Sequence, residues 1–402
     1  MNPYYRVYQK IMTTTTGVMC RMPELITGRG SLYEVVVRLK ESGRTAIMVA
    51  TTAGTVKRGM LEDFFAELEH AHIKVSLYTD IMSDPTVECI EDMLKQYDRD
   101  GCQAMVAIGG GSVIDCAKAV LARTVRPGRT VRQLRGILNV RHTLPDLYAV
   151  PTTAGTGSEA TAAAVVTDTI GGVHYKYSIN DPSLIPRYAV LDPSLTLSLP
   201  PAMTAYTGMD ALTHAIEAYT NRYASKRVQE MALAAVKLIF ENLPAAYEDG
   251  SNLAARENLL NASFYAGIAF TNNFVGYVHA VAHALGGIYG LSHGRTNAII
   301  LPYVMEQFGP AVYGSLTNLA KAAGVAYNDL SDKENAEIFI RSIRRMNKDM
   351  AIPDKIAQLK TADYDEIIRR AMKEANPTYP VPVIWGRKDF AHLLDNLRDE
   401  GK

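Results

Sequence analysis

The 402-residue chain sets 42 Lys and Arg against 42 Asp and Glu, and 48% of it is hydrophobic. That is the profile of an ordinary globular protein with room for two domains, and the even charge gives no electrostatic reason to expect nucleic acid or an anionic membrane as partner. Cys20, Cys89, Cys102 and Cys116 form no CxxC pair, which argues against a disulfide framework and for reduced thiols in the cytoplasm.

The N-terminal MNPYYRVYQK has no apolar run after its charges, so no signal peptide is expected. Ala46–Ala50 (AIMVA) then reads as a buried strand, Leu61–Ala71 as a helix with Leu61, Phe64, Phe65 and Leu68 on one face, and Lys74–Tyr78 as a second strand. Val87–Tyr97 is the next helix. Ala104–Ile108 is a third strand that ends at a glycine run, and Leu147–Val150 and Tyr188–Leu191 add two more. Strands alternating with helices predict an α/β domain with a doubly wound, mostly parallel sheet. Strand signals stop at Pro200–Pro201. Thr207–Tyr219 and Arg227–Glu241 open a run of helical spacing that continues to the C-terminus. The expected division is therefore 1–199, a dinucleotide-binding α/β domain, and 200–402, an all-helical domain. Asn258 to Gly294 contains no Asp, Glu, Lys or Arg, but Asn258, Asn261, Asn272, Asn273 and three histidines interrupt it. Buried helices fit that run better than a membrane span.

Two loops suit a nucleotide. Gly109–Gly110–Gly111–Ser112, followed by Asp115 and Lys118, leaves a predicted strand and opens a predicted helix. Glycines permit a tight turn and close approach of backbone N–H groups to phosphate, and the helix N-terminus favours negative charge. The motif is not GxGxxG, and three glycines can equally make a plain strand-to-helix turn. Pro151–Ser158 (PTTAGTGS) follows another strand and offers four hydroxyls for phosphate, ribose or carboxamide groups.

The helical half holds a metal pattern. Asp210 and His214 are four apart, which places both on one helix face, and His279 and His283 repeat that spacing. His293 follows in Ser292–His293–Gly294, a loop-like position. Any one of these could be a hydrogen-bonded core histidine. As a set, Asp210, His214, His279 and His293 suit Fe2+ or Zn2+ with a position left for a substrate oxygen, and a metal accounts for polar groups buried among apolar neighbours.

GGGSVIDCAK, PTTAGTGSEAT, LDPSLTLSLP, TGMDALTHAIEAY, VHAVAHALGG and SHGRTNAIILP occur in this order. On these motifs the chain resembles the iron-containing (group III) alcohol dehydrogenases from about Gly28 to Asn376–Pro377. The resemblance implies catalysis in a cleft between the domains, a homo-oligomer such as a dimer, and metal ligands at Asp210, His214, His279 and His293. It implies a pyrophosphate loop at Gly110, Gly111 and Ser112 with Asp115 beyond, Thr152, Thr153 and Thr156 along the cofactor, Lys176 as a cofactor contact, and His283 as a proton relay near the metal. The activity it implies is hydride transfer between NAD or NADP and a small primary alcohol, diol or aldehyde. Rival readings on the same fold are a glycerol dehydrogenase, a hydroxyacid–oxoacid transhydrogenase and a dehydroquinate-synthase-like lyase.

Two positions depart from the family. NAD-preferring relatives often carry Asp after the first strand of this domain, where Ala50–Gly54 (ATTAG) has no acid, so a 2′-phosphate meets no repulsion. Lys57 and Arg58 downstream read as solvated helix residues. Asp84 stands where many relatives have Asn and is expected to serve as a turn residue.

Overall fold

The computed structural model describes residues 3–170 and 173–399. Helix α1 (Pro3–Met19) comes first. Then follow β1 (Glu24–Thr27), α2 (Ser31–Glu41), β2 (Ala46–Ala50), α3 (Ala53–Lys57), α4 (Glu62–His70), β3 (Lys74–Tyr78), α5 (Val87–Arg99), β4 (Ala104–Gly109) and α6 (Gly111–Thr124). Beyond them lie β5 (Gly136–Ile137), β6 (Asp146–Pro151), β7 (Ala163–Ile170), β8 (Val173–Asn180) and β9 (Tyr188–Leu191). From α7 (Pro201–Thr220) onward the described chain is helical: α8 (Lys226–Glu248), α9 (Leu253–Asn273), α10 (Tyr277–Tyr289), α11 (His293–Phe308), α12 (Tyr313–Ala322), α13 (Asp332–Asp349), α14 (Tyr364–Ala375) and α15 (Arg387–Leu397).

Six strands form a sheet in the order β1-β9-β6-β4-β2-β3, every pair parallel. Alternation along each strand feeds two cores. Ile47, Val49, Val106, Ile108 and Tyr148 pack on one face with α2 and α4 residues such as Leu39 and Phe64. Met48, Ala50, Met105, Ala107 and Ala149 pack on the other with Ile90, Met93, Ile114 and Val120 of α5 and α6. A smaller sheet, β5-β8-β7, sits in the same unit, with β7 and β8 antiparallel.

The described chain divides into two compact units at Leu199–Pro200. Residues 3–18, placed by the sequence with the sheet, belong instead to the helical unit. The reason is tertiary: Arg6 donates to the carbonyls of Val381 and Pro382, and Gln9 to that of Tyr379. Within the charge-free run, α9 and α10 are largely buried, and no helix among the described residues is long and apolar enough to cross a membrane.

Candidate metal centre and nucleotide loops

Pro201 stands at the first position of α7, where a missing N–H costs nothing. The helix then presents Asp210, His214 and Glu217 at intervals of four and three, on one face of its third to fifth turns. Asp210 and His279 are almost wholly buried, at 3% and 2% exposure. The Asp210 carboxylate stands 3.7 Å from His279 Nε2 and 3.4 Å from His293 Nε2, measured to the same oxygen. One donor atom from each of Asp210, His279 and His293 falls within a 4.8 Å group.

His214 lies beside that trio and outside it. Its ring stacks on His279 at 4.4 Å between centroids, with Phe270 on its other side at 4.3 Å. His293 is the first residue of α11 and not part of a loop. What fixes it beside Asp210 is Gly294, where a Cβ would collide with the Tyr206 carbonyl of α7 and press on the Asp210 side chain. A glycine there lets α11 approach α7 closely enough to bring the two ligand atoms together.

The residues around the trio were not legible as a set. Glu217 accepts from His279 Nδ1 at 2.6 Å and from the Val278 N–H at 2.7 Å, so one carboxylate orients the imidazole and caps α10. Its room comes from Gly276, whose Cβ would stand 2.7 Å from the carboxylate. Asn297, one turn beyond His293, donates to Asp210 at 2.7 Å and lies 3.1 Å from His293 Nε2. The spacing of Glu217, seven residues after Asp210, was the available signal; Asn297 had none. His283 Nδ1 contacts Glu374 at 2.8 Å, and its ring stacks on His293 at 5.0 Å.

These groups fit a divalent ion. His279 Nε2 is buried without a hydrogen-bond partner, while Nδ1 is held by a carboxylate, the arrangement that aims an imidazole lone pair at a metal. Burial works against charge on His279, but the Glu217 and Asp210 carboxylates prevail and push its pKa up to about 9. Burial likewise opposes ionisation of Asp210, and the His214, His293 and His279 imidazoles outweigh it and hold the carboxyl below its usual range. Fields that hold a proton on Nε2 will hold a cation in its place. Two imidazole nitrogens and a carboxylate oxygen, with a third imidazole alongside, match the donor preferences of Fe2+ or Zn2+.

In the sheet unit the two polar loops meet. Thr152 N–H donates to the Gly109 carbonyl at 3.0 Å, and a Cβ on Gly111 would lie 2.8 Å from the Thr156 side chain. The need for glycine at 111 thus arises first from Thr156, before any ligand. Gly110 precedes α6 with no side chain capping the helix, which leaves that end to backbone N–H groups. Thr153 is the side chain nearest Gly110, at 3.6 Å from its built Cβ. The Ser112 hydroxyl donates to the Ser83 carbonyl.

Asp115 is tied inward, accepting from Ser158 Oγ at 2.6 Å and Val165 N at 3.0 Å. Lys118, fully buried, donates to the Ser158 and Ala163 carbonyls and to both oxygens of Thr161 at 2.6–3.0 Å, so α6 is stitched to the second loop. Lys176, on β8, pairs with Asp84 at 2.7 Å, so the departing Asp84 has a cation as partner in addition to its turn. Thr51 is buried with its hydroxyl on the Ile108 carbonyl at 2.7 Å. Thr52 caps α3, and Arg58 folds back to Thr55 Oγ1 at 3.4 Å, so it is not merely solvated.

Known proteins are similar to this chain along most of its length. Residues 23–193 match the family model described as iron-containing alcohol dehydrogenase, and residues 204–397 match its C-terminal counterpart. An NAD-dependent methanol dehydrogenase of Bacillus methanolicus is 33% identical over 93% of this chain and 98% of its own. A 1,3-propanediol dehydrogenase of Citrobacter freundii is 36% identical, covering 91% and 95%. The crystal structure of a 1,3-propanediol oxidoreductase superposes with a TM-score of 0.88 at 33% identity, over 94% of this chain and 98% of that one. These matches favour an alcohol dehydrogenase over the glycerol dehydrogenase, transhydrogenase and lyase readings, and on them the chain belongs to the iron-containing alcohol dehydrogenase family.

Proposed function

We propose that the protein transfers hydride between a small primary alcohol or diol and NAD or NADP, working in reverse on the aldehyde, with a divalent metal, Fe2+ or Zn2+, held by Asp210, His214, His279 and His293. The observation that carries the reading is the Asp210–His279–His293 trio, two of whose members, Asp210 and His279, are buried, with His279 Nε2 unpartnered and Nδ1 fixed by Glu217. His214, stacked on His279, is the fourth member that the family pattern supplies. When bound, the ion supplies Lewis acidity that favours loss of the alcohol proton, and the nicotinamide supplies the hydride acceptor.

The chain's own residues do the rest. Glu217 and Asn297 keep the ligand side chains in one orientation. His283, held through Nδ1 by Glu374, has Nε2 left to take the substrate proton toward solvent. Gly110, Gly111, Ser112, Thr152, Thr153 and Thr156 form the pyrophosphate cradle, Asp115 braces it from within, and Lys176 reaches the dinucleotide from β8. The name of the methanol-oxidising relative supports NAD as the coenzyme. Cytoplasmic placement and a homo-oligomer belong to the same reading, supported by four free cysteines and by the family resemblance; light scattering of the purified protein tests the second.

The decisive experiment reconstitutes the chain with Fe2+ or Zn2+ and follows NADH and NADPH with methanol, ethanol, 1,3-propanediol and the matching aldehydes. His279→Ala, and separately His214→Ala, should lose stoichiometric metal and turnover while the sheet unit stays folded by circular dichroism. One metal per chain with normal turnover in His279→Ala would overturn the assignment.

A further inference from the structure

Helix α1 lies outside both family-model ranges, 23–193 and 204–397, yet it is bonded to a segment that reaches the candidate proton relay. Residues 376–386 have neither helix nor strand. Pro377, Pro380 and Pro382 deprive the segment of three N–H donors, so it cannot build a ladder of its own, and its carbonyls must find donors elsewhere. The Arg222 N–H serves the Pro380 carbonyl at 2.6 Å, and helix α1 serves the carbonyls on either side of it. Arg6 spans two carbonyls, Nη1 to Val381 at 2.7 Å and Nη2 to Pro382 at 3.0 Å. Gln9, fully buried, donates through Nε2 to the Tyr379 carbonyl at 2.7 Å and accepts from Arg6 at 2.9 Å. Tyr379 then donates its hydroxyl to Glu374 at 2.9 Å, on the same carboxylate oxygen that meets His283 Nδ1 at 2.8 Å.

We propose that α1 is a brace for the relay: Gln9 and Arg6 are positioning residues that set Tyr379, whose hydroxyl keeps Glu374 on His283. The bonds run in series, from α1 to the Tyr379 backbone, from the Tyr379 ring to Glu374, and from Glu374 to the imidazole. Only the Tyr379 segment, the link without secondary structure, depends on an outside support. The inference rests on reading His283 as the relay.

A double-mutant cycle tests it, on the full chain loaded with iron and using the panel alcohol that is oxidised fastest. Gln9→Glu keeps the side chain's size but removes the donor to Tyr379. It should lower kcat about tenfold, a part of the ~hundredfold that an ångström of misplacement can cost, with iron content and the KM for NAD+ unchanged. Tyr379→Phe should do the same. Because both act through one link, the double variant should be no slower than either single one. Effects that multiply, or a Gln9→Glu enzyme with wild-type kcat, would overturn the brace. Should Gln9→Glu fold poorly, Arg6→Lys, which cannot span both carbonyls, should give a smaller kcat loss with the same coupling to Tyr379→Phe. His283→Gln separates the two claims: wild-type kcat in that variant removes the relay itself, whereas a lowered kcat beside a normal Gln9→Glu enzyme removes only the brace.

Discussion

Glu159 is buried to 1% exposure, and neither of its carboxylate oxygens has a hydrogen-bond partner. Burial pushes its pKa up from 4.5 to about 7, against the pull of its own backbone and of Lys118. A raised folded-state pKa means that the protonated form is the one that fits. Its contribution to stability is complete below pH 4.5 and is lost as pH rises through 7. Lys118, lowered to about 8 by burial, leans the other way and does not complete a strong pair. Glutamine mimics the protonated acid. Glu159→Gln should therefore melt close to wild type at pH 5 and higher at pH 8, by on the order of 3 kcal/mol, a shift of several degrees. Calorimetry at the two pH values measures it, and a melting difference that does not change with pH would sink the idea.

At the scale of elements, what the sequence showed depended on how much of the decision was local. Ala46–Ala50, buried along almost its whole length, and Lys74–Tyr78, an edge strand with Lys74 and Leu77 exposed, both formed as strands at the residues expected, because short β-rich runs carry their own signal. The β7–β8 hairpin was missed, although β-branched runs flanking Gly171–Gly172 are a hairpin signature. Helix α1 was missed for a different reason. Thr13–Thr16 is a poor helical stretch by propensity, and tertiary bonds override it, with Thr13 and Thr16 returning their hydroxyls to the Gln9 and Met12 carbonyls. The i,i+4 spacings and the SHG motif drew attention to Asp210, His279 and His293, which the structure gathers, and to His214, which lies beside them, whereas Glu374 and Asn297 become relevant only when distant helices meet. The β2–α3 junction, the proposed seat of coenzyme choice, also depends on tertiary contacts. Thr51 is buried and committed to the Ile108 carbonyl, which leaves Thr52, the cap of α3, as the hydroxyl to test. Aspartate caps a helix as well as threonine does, so Thr52→Asp should preserve α3. It should lower kcat/KM with NADP about a hundredfold relative to NAD, the cost of setting like charges together. Arg58, folded over this cap, would lose value for NADP in the same variant. A wild-type enzyme that already excludes NADP by several orders of magnitude would place the choice elsewhere.

Across the whole molecule, the two proposed sites fall to different units, the nucleotide loops to residues 19–199 and the metal trio to the helical unit. Parallel strands buried on both faces end in loops whose backbone can meet phosphate, whereas helices crossing closely at glycine bring imidazole and carboxylate to one point. The division makes a prediction about ligand removal. A metal at a hundredfold excess over its Kd stabilises the state that binds it by about 2.7 kcal/mol, and that stabilisation should act where the ligands are. Chelation followed by hydrogen–deuterium exchange should raise amide exchange in peptides from α7, α10 and the start of α11. Peptides from β4 and α6, whose strand and helix carry Gly109 and Gly111, should exchange as before. Addition of NAD+ should protect the second group and leave the first at its apo rate. The Lys118 stitching of the glycine loop's helix runs to Ser158, Thr161 and Ala163, all in the sheet unit, so it does not depend on the helical unit's ligands. Equal deprotection of both groups on chelation would show instead that the metal supports the chain as one cooperative body, and the assignment of separate duties to the two units would fail.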